Sequence, residues 1–133
     1  DVETDKALRV VPGSGRHVAL HSTSAGKCLL AWGLAEVPST LPQRTARTIT
    51  NPDALRAHLV DIRARGYAFD DEENAPYTRC ISAPVFDPAG IAIGCIGIDA
   101  PSVRLTFEQL PEAARHVTDA AARLSRAFGS RST

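Results

Sequence analysis

Apolar side chains recur at helical spacing in three segments of the chain. The first segment predicts a helix that is capped by Ser22 or Thr23 and ended by Gly33. Its apolar positions follow an i, i+3, i+4, i+7 spacing and are Ala25, Cys28, Leu29 and Trp32. Residues 34–43, interrupted by prolines, are weakly helical at most.

The second helix is predicted from its start signal. Asn51 supplies a cap, Pro52 fits the first helical position, and Asp53 complements the positive end of the helix dipole. Gly66 ends this helix. Its buried face is predicted on Leu55, Leu59 and Ile62.

The third helix is the longest and is predicted from about Phe107 to Phe128. Thr106 and Gln109 have the spacing of a capping box, whereas Pro111 indicates either a distorted first turn or a later start. Its apolar stripe comprises Phe107, Leu110, Ala114, Val117, Ala121, Leu124 and Phe128. Such a stripe is more typical of packing on a sheet than of a coiled coil.

Strands are predicted where the apolar pattern is short or alternating. They are expected at residues 7–11, 47–50 and 67–71 and in a hairpin at 79–99, with a turn at 12–15 and extended chain at 17–21. Antiparallel strands with helices on one or both faces define an α+β fold. The length of 133 residues fits one domain over residues 1–133.

The loop of the predicted hairpin decides which side chains share a face of the sheet. A two-residue loop at 88–89 places Cys80 opposite Gly97, on the same face as Asp99. A three-residue loop, with Gly90 in a left-handed conformation, places Cys80 and Asp99 on opposite faces. The Pro-Ala-Gly sequence of the loop slightly favours the second arrangement.

Composition and charge exclude several classes of protein. With 44% hydrophobic and 23% charged residues the chain is an ordinary globular protein, and no apolar run approaches the roughly 20 residues of a membrane span. Basic and acidic residues balance at 15 each, which makes this chain a poor candidate for contact with DNA. Its 3 cysteines, without close pairing, are typical of reduced thiols in a cytoplasmic protein.

The Ser-Ala-Gly-Lys sequence at 24–27 suggests a phosphate-binding loop, but the surrounding residues do not fit. His21 stands where that loop needs glycine, and Cys28 stands where it needs serine or threonine. The segment is therefore either a helix N-terminus that binds an anion or an ordinary capped helix with Gly26 allowing close packing. The 4 histidines lack a metal-ligand spacing, so we expect neither a metal nor a cofactor.

Cys80 and the acidic residues 70–73 are the other candidates for chemistry. A nucleophilic cysteine normally needs a base, and no histidine is near Cys80 in sequence, so we interpret Cys80 as a wall of a ligand pocket. An acidic run is most often a solvated loop. Strand alternation, however, places Asp70 and Glu72 on one face and Asp71 on the other, so at least one carboxylate points towards a covered face.

Four segments together resemble the C-terminal effector-binding domain of IclR-family transcriptional regulators. Residues 21–31 are similar to the family's His-Ala-x-x-x-Gly-Lys-Ala-Leu-Leu-Ala helix, and 47–50 to its threonine-rich segment. The most specific similarity is Arg-Gly-Tyr-Ala-Phe-Asp-Asp-Glu-Glu at 65–73, followed by Arg-Cys-Ile-Ser-Ala-Pro-Val-Phe-Asp at 79–87. The stretch before the last helix also fits, and the resemblance covers roughly residues 7–128.

The resemblance implies a GAF-like domain that binds a small metabolite and thereby alters operator DNA binding by a separate N-terminal winged helix-turn-helix. It also implies no enzymatic activity, a cytoplasmic location, and assembly into homodimers or homotetramers. The ligand-binding positions carried over from the family are Ser24 and Ala25 as backbone donors, Asp70 and Cys80 as wall groups, and Gly97 and Asp99 on the last strand. This grouping favours the hairpin register that brings Cys80 and Asp99 to one face.

The chain departs from the family pattern in three ways. The winged helix-turn-helix and the domain's first helix and strand hairpin are expected to be missing from these residues, which would leave a sheet edge that favours dimerisation. The pocket strand reads Gly-Ile-Asp-Ala-Pro at 97–101, where the family often has Ser-x-Ser-Gly-Pro. Because Asp99 would join Asp70 there, we expect a neutral, hydroxylated or cationic effector rather than a small anionic keto acid.

Two alternative functions remain open from the sequence. One is an enzyme that uses Cys80 with an acid from Asp70 or Asp99, and it would be favoured by alkylation that is faster at Cys80 than at Cys28 and Cys95. The other is a structural dimerisation module with a vestigial pocket, which no metabolite would stabilise against heat.

Overall fold

The computed structural model describes residues 7–12 and 19–131. Its elements, in chain order, are β1 (Ala7–Pro12), α1 (Ser24–Ala31), α2 (Pro52–Arg65), β2 (Ala68–Asp71), β3 (Thr78–Phe86), β4 (Ala92–Pro101) and α3 (Leu110–Arg131). The strands form one antiparallel sheet in the order β1-β4-β3-β2. The α+β prediction is confirmed. None of the described helices is long and apolar enough to cross a membrane.

The capping residues of α1 and α2 act as their sequence predicts. Thr23 Oγ1 accepts a hydrogen bond from the N–H of Gly26 at 2.9 Å, which settles which of the two candidates caps α1. Asn51 Oδ1 accepts from Ala54 N, also at 2.9 Å. Gly66 ends α2 in the left-handed conformation, with φ of 93°, a geometry that glycine adopts without steric cost.

Helix α3 begins after the predicted start at about Phe107. Pro111 indicates either a distorted first turn or a later start, and the later start is what the structure shows. The first helical residue is Leu110, and Pro111 follows it, where a missing N–H costs little. The predicted capping box still forms: Thr106 N donates to Gln109 Oε1 at 2.9 Å, and Gln109 N donates to Thr106 Oγ1 at 3.3 Å. It closes the turn immediately before the helix.

The sheet is covered by helices on both faces, which produces two apolar clusters. Between the sheet and α1 and α2, the most deeply buried members are Leu29, Leu55, Ile62, Ala68 and Cys95. Between the sheet and α3, they are Ile81, Ala83, Leu105, Val117 and Ala121. Burying one such leucine or isoleucine contributes about 1.5–3 kcal/mol, so each helix is held mainly by this packing.

The hairpin differs from both predicted registers along most of its length. At its tip the three-residue loop forms, with Asp87 N bonded to Ile91 O at 2.9 Å and Gly90 at φ of 82°. A bulge beside Val85 then shifts the pairing by one residue. As a result Cys80 stands directly opposite Asp99, on the same face of the sheet.

Two predicted extended segments are wrong where the structure describes them. Residues 47–50 form no strand, because Thr48 Oγ1 accepts hydrogen bonds from the backbone N–H of Arg44 and of Thr45 and closes a turn there. Residues 20–22 form a turn instead of extended chain. The predicted turn at 12–15, apart from Pro12, and the start of the 17–21 segment lie outside the described residues.

Candidate functional site

The α1-facing side of the sheet brings three of the predicted ligand residues into one row. Asp70 pairs with Cys80 across β2 and β3, and Cys80 pairs with Asp99 across β3 and β4. Paired residues of an antiparallel sheet point to the same side. Asp70 and Cys80 are almost fully buried, with exposed fractions of 2% and 7%.

The next row of the same face lies against the start of α1. Ser82 pairs with Gly97, and Ser82 Oγ is hydrogen-bonded to Ser24 Oγ at 2.7 Å. A Cβ atom at position 97 would overlap Ser82 Oγ and the carbonyl oxygen of Ile81. Glycine at this position therefore allows β4 to pair closely with β3 while Ser82 Oγ keeps its hydrogen bond to Ser24.

Ser24 and Ala25 are the first two residues of α1, where helical N–H groups have no acceptor within the helix. The cap is used further along, since Thr23 accepts from Gly26 and, through its carbonyl oxygen, from the N–H of Lys27. Both Ser24 and Ala25 are buried against the sheet. The structure thus places all six predicted ligand residues on or against one face.

Asp70 is a carboxyl group in an unfavourable environment for a charge. Burial raises the pKa of its carboxyl to about 6, and the nearby negative charge of Glu73 acts in the same direction. The N–H of Glu73, which donates to Asp70 Oδ1 at 2.7 Å, opposes this rise, as do the charge of Lys27 and the thiol of Cys80. At neutral pH Asp70 is a buried carboxylate.

Two other members of the acidic run, Asp71 and Glu72, are held by contacts away from this row. Asp71 forms ion pairs with Arg47 at 2.8 Å and with Arg79 at 2.9 Å. The predicted alternation ends at Glu72, because its left-handed backbone, with φ of 56°, terminates β2. Glu72 instead accepts hydrogen bonds from Tyr77 N at 3.1 Å and Ser102 Oγ at 2.9 Å.

Sequence reasoning missed a buried ion pair next to the site. Lys27 is fully buried, and its Nζ lies 2.6 Å from Glu73 Oε1. Burial lowers the pKa of Lys27, although the carboxylate of Glu73 opposes this change. The one available signal was position: Lys27 follows Ser24 by three residues and precedes Cys28, so it lies on the face that α1 turns to the sheet.

Two grooves lie elsewhere on the surface. One, of about 390 Å³, lies between α1 and α2, and its lining includes Leu30, Leu59 and Arg63. The other, of about 560 Å³, lies between β3 and α3, and its lining includes Pro84 and Arg126. Neither is lined by any of the six predicted ligand residues. Among the described residues no group of three or more His, Cys, Asp or Glu side chains could hold a metal ion.

The family model described as bacterial transcriptional regulator IclR, C-terminal, matches residues 1–126. The chain belongs to the IclR family. It corresponds to the C-terminal, effector-binding domain of these regulators.

Individual relatives agree with this assignment. The HTH-type transcriptional regulator BhcR of Paracoccus denitrificans is 40% identical over 131 residues, which are 92% of this chain and 46% of that protein. The HTH-type regulator KdgR of Escherichia coli is 38% identical over 128 residues, or 92% of this chain and 49% of that protein. The chain thus spans about half the length of the curated relatives it matches.

Solved structures of the IclR family share the fold. The crystal structure of the C-terminal domain of E. coli KdgR superimposes with a TM-score of 0.73 at 37% identity, covering 83% of this chain and 71% of that one. The structure of Thermotoga maritima IclR gives a TM-score of 0.73 at 34% identity and covers 83% of this chain and 47% of that one.

Proposed function

We propose that this IclR-family domain senses a small metabolite on the α1-facing side of its sheet. The proposed ligand contacts are the backbone N–H groups of Ser24 and Ala25, the side chains of Asp70, Cys80 and Asp99, and the backbone of β4 at Gly97. Binding would alter operator DNA contact by an N-terminal winged helix-turn-helix in the full-length regulator. The proposal for DNA rests on the HTH-type relatives, since nothing in this chain's balanced charge attracts a phosphate backbone.

The observation that carries this proposal is the position of Asp70. A carboxylate on an apolar sheet face is costly to bury. Asp70 is nevertheless ionised at neutral pH, although burial strongly opposes its ionisation. It also lies in the same row as Cys80 and Asp99. A carboxylate kept under these conditions is expected to interact with a ligand.

The charge of the site indicates the effector class. A carboxylate at Asp70 and another at Asp99 would repel a small anion, whereas hydroxyl or ammonium groups can donate to them. We therefore propose a neutral hydroxylated or a cationic effector. The N–H groups at the start of α1 would then donate hydrogen bonds to an oxygen atom of the same molecule.

Thermal-shift screening of the 133-residue chain against a metabolite library tests the proposal, because a ligand that binds only the folded state raises the melting temperature. Three compounds with a three-carbon skeleton provide a matched comparison: pyruvate, glycerol and 3-amino-1,2-propanediol. We expect stabilisation by the hydroxylated or amino compounds at millimolar concentration. Tight binding of pyruvate or glyoxylate would contradict the effector class. A screen without any stabilising compound would favour the vestigial-pocket alternative.

A variant separates the two carboxylates. Asp99→Ser introduces the hydroxyl that the family often carries at this position. We expect the preference to move towards keto acids in this variant, measured as the ratio of Kd values for pyruvate and glycerol by calorimetry. Asp119→Asn, on the exposed side of α3, removes the same charge away from the site and should leave the ratio unchanged.

We also propose that the domain is not an enzyme. The thiol of Cys80 is hydrogen-bonded to Asp70, and a neighbouring carboxylate disfavours the thiolate that nucleophilic attack requires. Alkylation by iodoacetamide at pH 7 should therefore be slow at Cys80. Rapid, selective labelling of Cys80 over Cys28 and Cys95 would favour the enzyme instead.

We further propose a cytoplasmic regulator that assembles as a homodimer or homotetramer, as the family resemblance implies. Sedimentation equilibrium of the chain gives its mass directly, and a species at the monomer mass of 14.2 kDa over all concentrations would contradict self-assembly of this part of the protein.

A further inference from the structure

The ion pair between Lys27 and Glu73 joins two elements that each contribute to the candidate site. Lys27 lies one helical turn after Ser24 in α1, and Glu73 follows β2 by two residues. The side chain of Lys27 is fully buried and that of Glu73 is 10% exposed, so the contact is shielded from solvent. Helix α1 and the end of β2 are thus joined through an interior contact.

Every donor of the Lys27 ammonium group has an acceptor. Besides Glu73 Oε1, Nζ donates to Phe69 O at 2.6 Å and to His58 Nε2 at 3.1 Å. The last contact requires His58 to be neutral, and burial together with the charge of Lys27 lowers the pKa of His58 accordingly. Lys27 therefore contacts α2 and β2 as well as Glu73, in one fixed position.

Glu73 transmits this position to Asp70. Its N–H donates to Asp70 Oδ1 at 2.7 Å, while its Oε2 accepts from Asp71 N at 3.1 Å. Its carbonyl oxygen accepts from Thr48 Oγ1 at 2.6 Å. A displacement of Glu73 would move the group that orients the Asp70 carboxylate.

We propose that Lys27 and Glu73 are the positioning pair of the effector site: their buried ion pair fixes the carboxylate of Asp70 relative to the N-terminus of α1. The charged atoms of the pair bond to each other, to His58 and to the backbone of Phe69 and Asp71, so the pair acts on the site through the Glu73 N–H and through α1. This proposal rests on the proposed function, because the site that the pair positions is the proposed effector site. A buried ion pair is rarely the most stable arrangement, since apolar residues of similar size often replace one without loss, which favours a role in geometry.

The double variant Lys27→Met/Glu73→Gln tests this proposal, because it removes one charge of each sign while keeping similar side-chain volumes. The charge of Glu73 raises the pKa of Asp70 and the charge of Lys27 lowers it, and the double variant removes both effects together. A change in the titration midpoint of Asp70 therefore reports mainly the hydrogen bond from the N–H of residue 73. Asp53→Asn/Arg56→Gln is the matched control, removing an exposed ion pair of 3.4 Å on α2.

The titration midpoint of the Asp70 carboxyl carbon is measured by NMR in the 133-residue chain without a ligand. We expect it to rise by about one pH unit in the double variant and not in the control, because a hydrogen bond to the charged form would be lost. Hydrogen exchange of the amide of residue 73 should be faster by roughly fivefold. A folded double variant with an unchanged midpoint and unchanged exchange would overturn the proposal.

A second variant keeps the test decisive if the double variant does not fold. Glu73→Asp retains both charges but shortens the side chain by one methylene, so the ion pair can re-form only if the backbone at residue 73 moves. An unchanged Asp70 midpoint in this variant would likewise overturn the positioning role. These measurements need no effector, so they can fail while glycerol or 3-amino-1,2-propanediol binds, and they can succeed while neither does.

Discussion

Replacing Asp70 by asparagine should make the domain more stable at neutral pH. Asparagine is close in shape and its carbonyl oxygen can still accept the hydrogen bond from Glu73 N, which spans 2.7 Å. The substitution removes a buried negative charge that lies next to a second carboxylate, Glu73. An increase in stability on removing a polar contact is unusual, because most substitutions destabilise a protein.

The magnitude follows from the pKa of Asp70. Folding raises that pKa from 3.8 to about 6, so between these values the folded chain holds a proton that the unfolded chain has released. The free energy of unfolding therefore falls as pH rises through this window, by about 3 kcal/mol at most, since each pKa unit corresponds to about 1.4 kcal/mol. Below the window the penalty is absent, and above it the penalty is complete. We expect Asp70→Asn to recover about 1–3 kcal/mol at pH 7.

Urea unfolding at several pH values between about 3.5 and 8 measures this effect. The chain has 1 tryptophan, Trp32, at the end of α1, and its fluorescence reports the transition. Asp70→Asn should lack the decrease in stability that the unmodified chain shows between about pH 4 and pH 6. Asp119→Asn, on the solvent side of α3, serves as the control and should retain it.

Two results would refute this reasoning. One is an Asp70→Asn variant that is less stable than the unmodified chain at pH 7. The other is an identical pH dependence of the two proteins between about pH 4 and pH 6, which would mean that Asp70 is not the titrating group. A gain in stability combined with weaker effector binding would instead show that the site retains a costly charge for its function.

Three further substitutions test the geometry around the site. Gly97→Ala should lower the free energy of unfolding by about 1–3 kcal/mol in urea, because its Cβ overlaps the adjacent strand, whereas Gly129→Ala meets nothing within 4 Å and should raise it by about 0.5–1 kcal/mol. Tyr77→Asn should raise the free energy of unfolding by about 1 kcal/mol and thus the melting temperature, because Tyr77 is 79% exposed and its φ of 63° suits asparagine better. A lower melting temperature would show that the backbone at Tyr77 is not strained. Arg79→Lys should cost about 1–3 kcal/mol in the same urea assay, because lysine cannot replace a guanidinium that bonds Asp71 and two backbone carbonyls; an unchanged midpoint would show that the charge alone suffices.

The helices could be predicted from the sequence because their signals are local. The cap of α2 at Asn51 and its glycine stop at Gly66 act within one turn, so they form without the help of a distant contact. Residues 47–50 show the opposite case: their β-branched composition suggests a strand, but the Thr48 hydroxyl bonds to the backbone of its own loop and prevents pairing.

The site could be predicted only in part. The family resemblance identified Asp70, Cys80 and Asp99 as neighbours, whereas turn chemistry alone favoured a register that separates Cys80 from Asp99. Both statements contain part of the answer, because the loop has the predicted three residues and a bulge beside Val85 then reverses its effect on the register. Gly94 stands at this bulge, but a glycine inside a strand pattern indicates either a bulge or a close backbone approach and does not decide between them.

The partner of Lys27 could not be predicted for a different reason. Its side chain ends next to Glu73, which is 46 residues away in the chain, and the helical position of Lys27 indicates its face but not this partner. Charged residues are almost never fully buried unless they are paired, so the sequence alone favours an exposed lysine. Only the tertiary fold shows that these charges meet.

The spacing of the strands fixes the distance between the two carboxylate residues of the site. Asp70 and Asp99 stand on either side of Cys80 in one row, so their Cα atoms lie two strand spacings, or about 10 Å, apart. A molecule that contacts both carboxylates at once has to bridge most of this distance. The two ends of a longer effector would be recognised by different strands, and the length of a metabolite, as well as its charge, would decide whether it is bound.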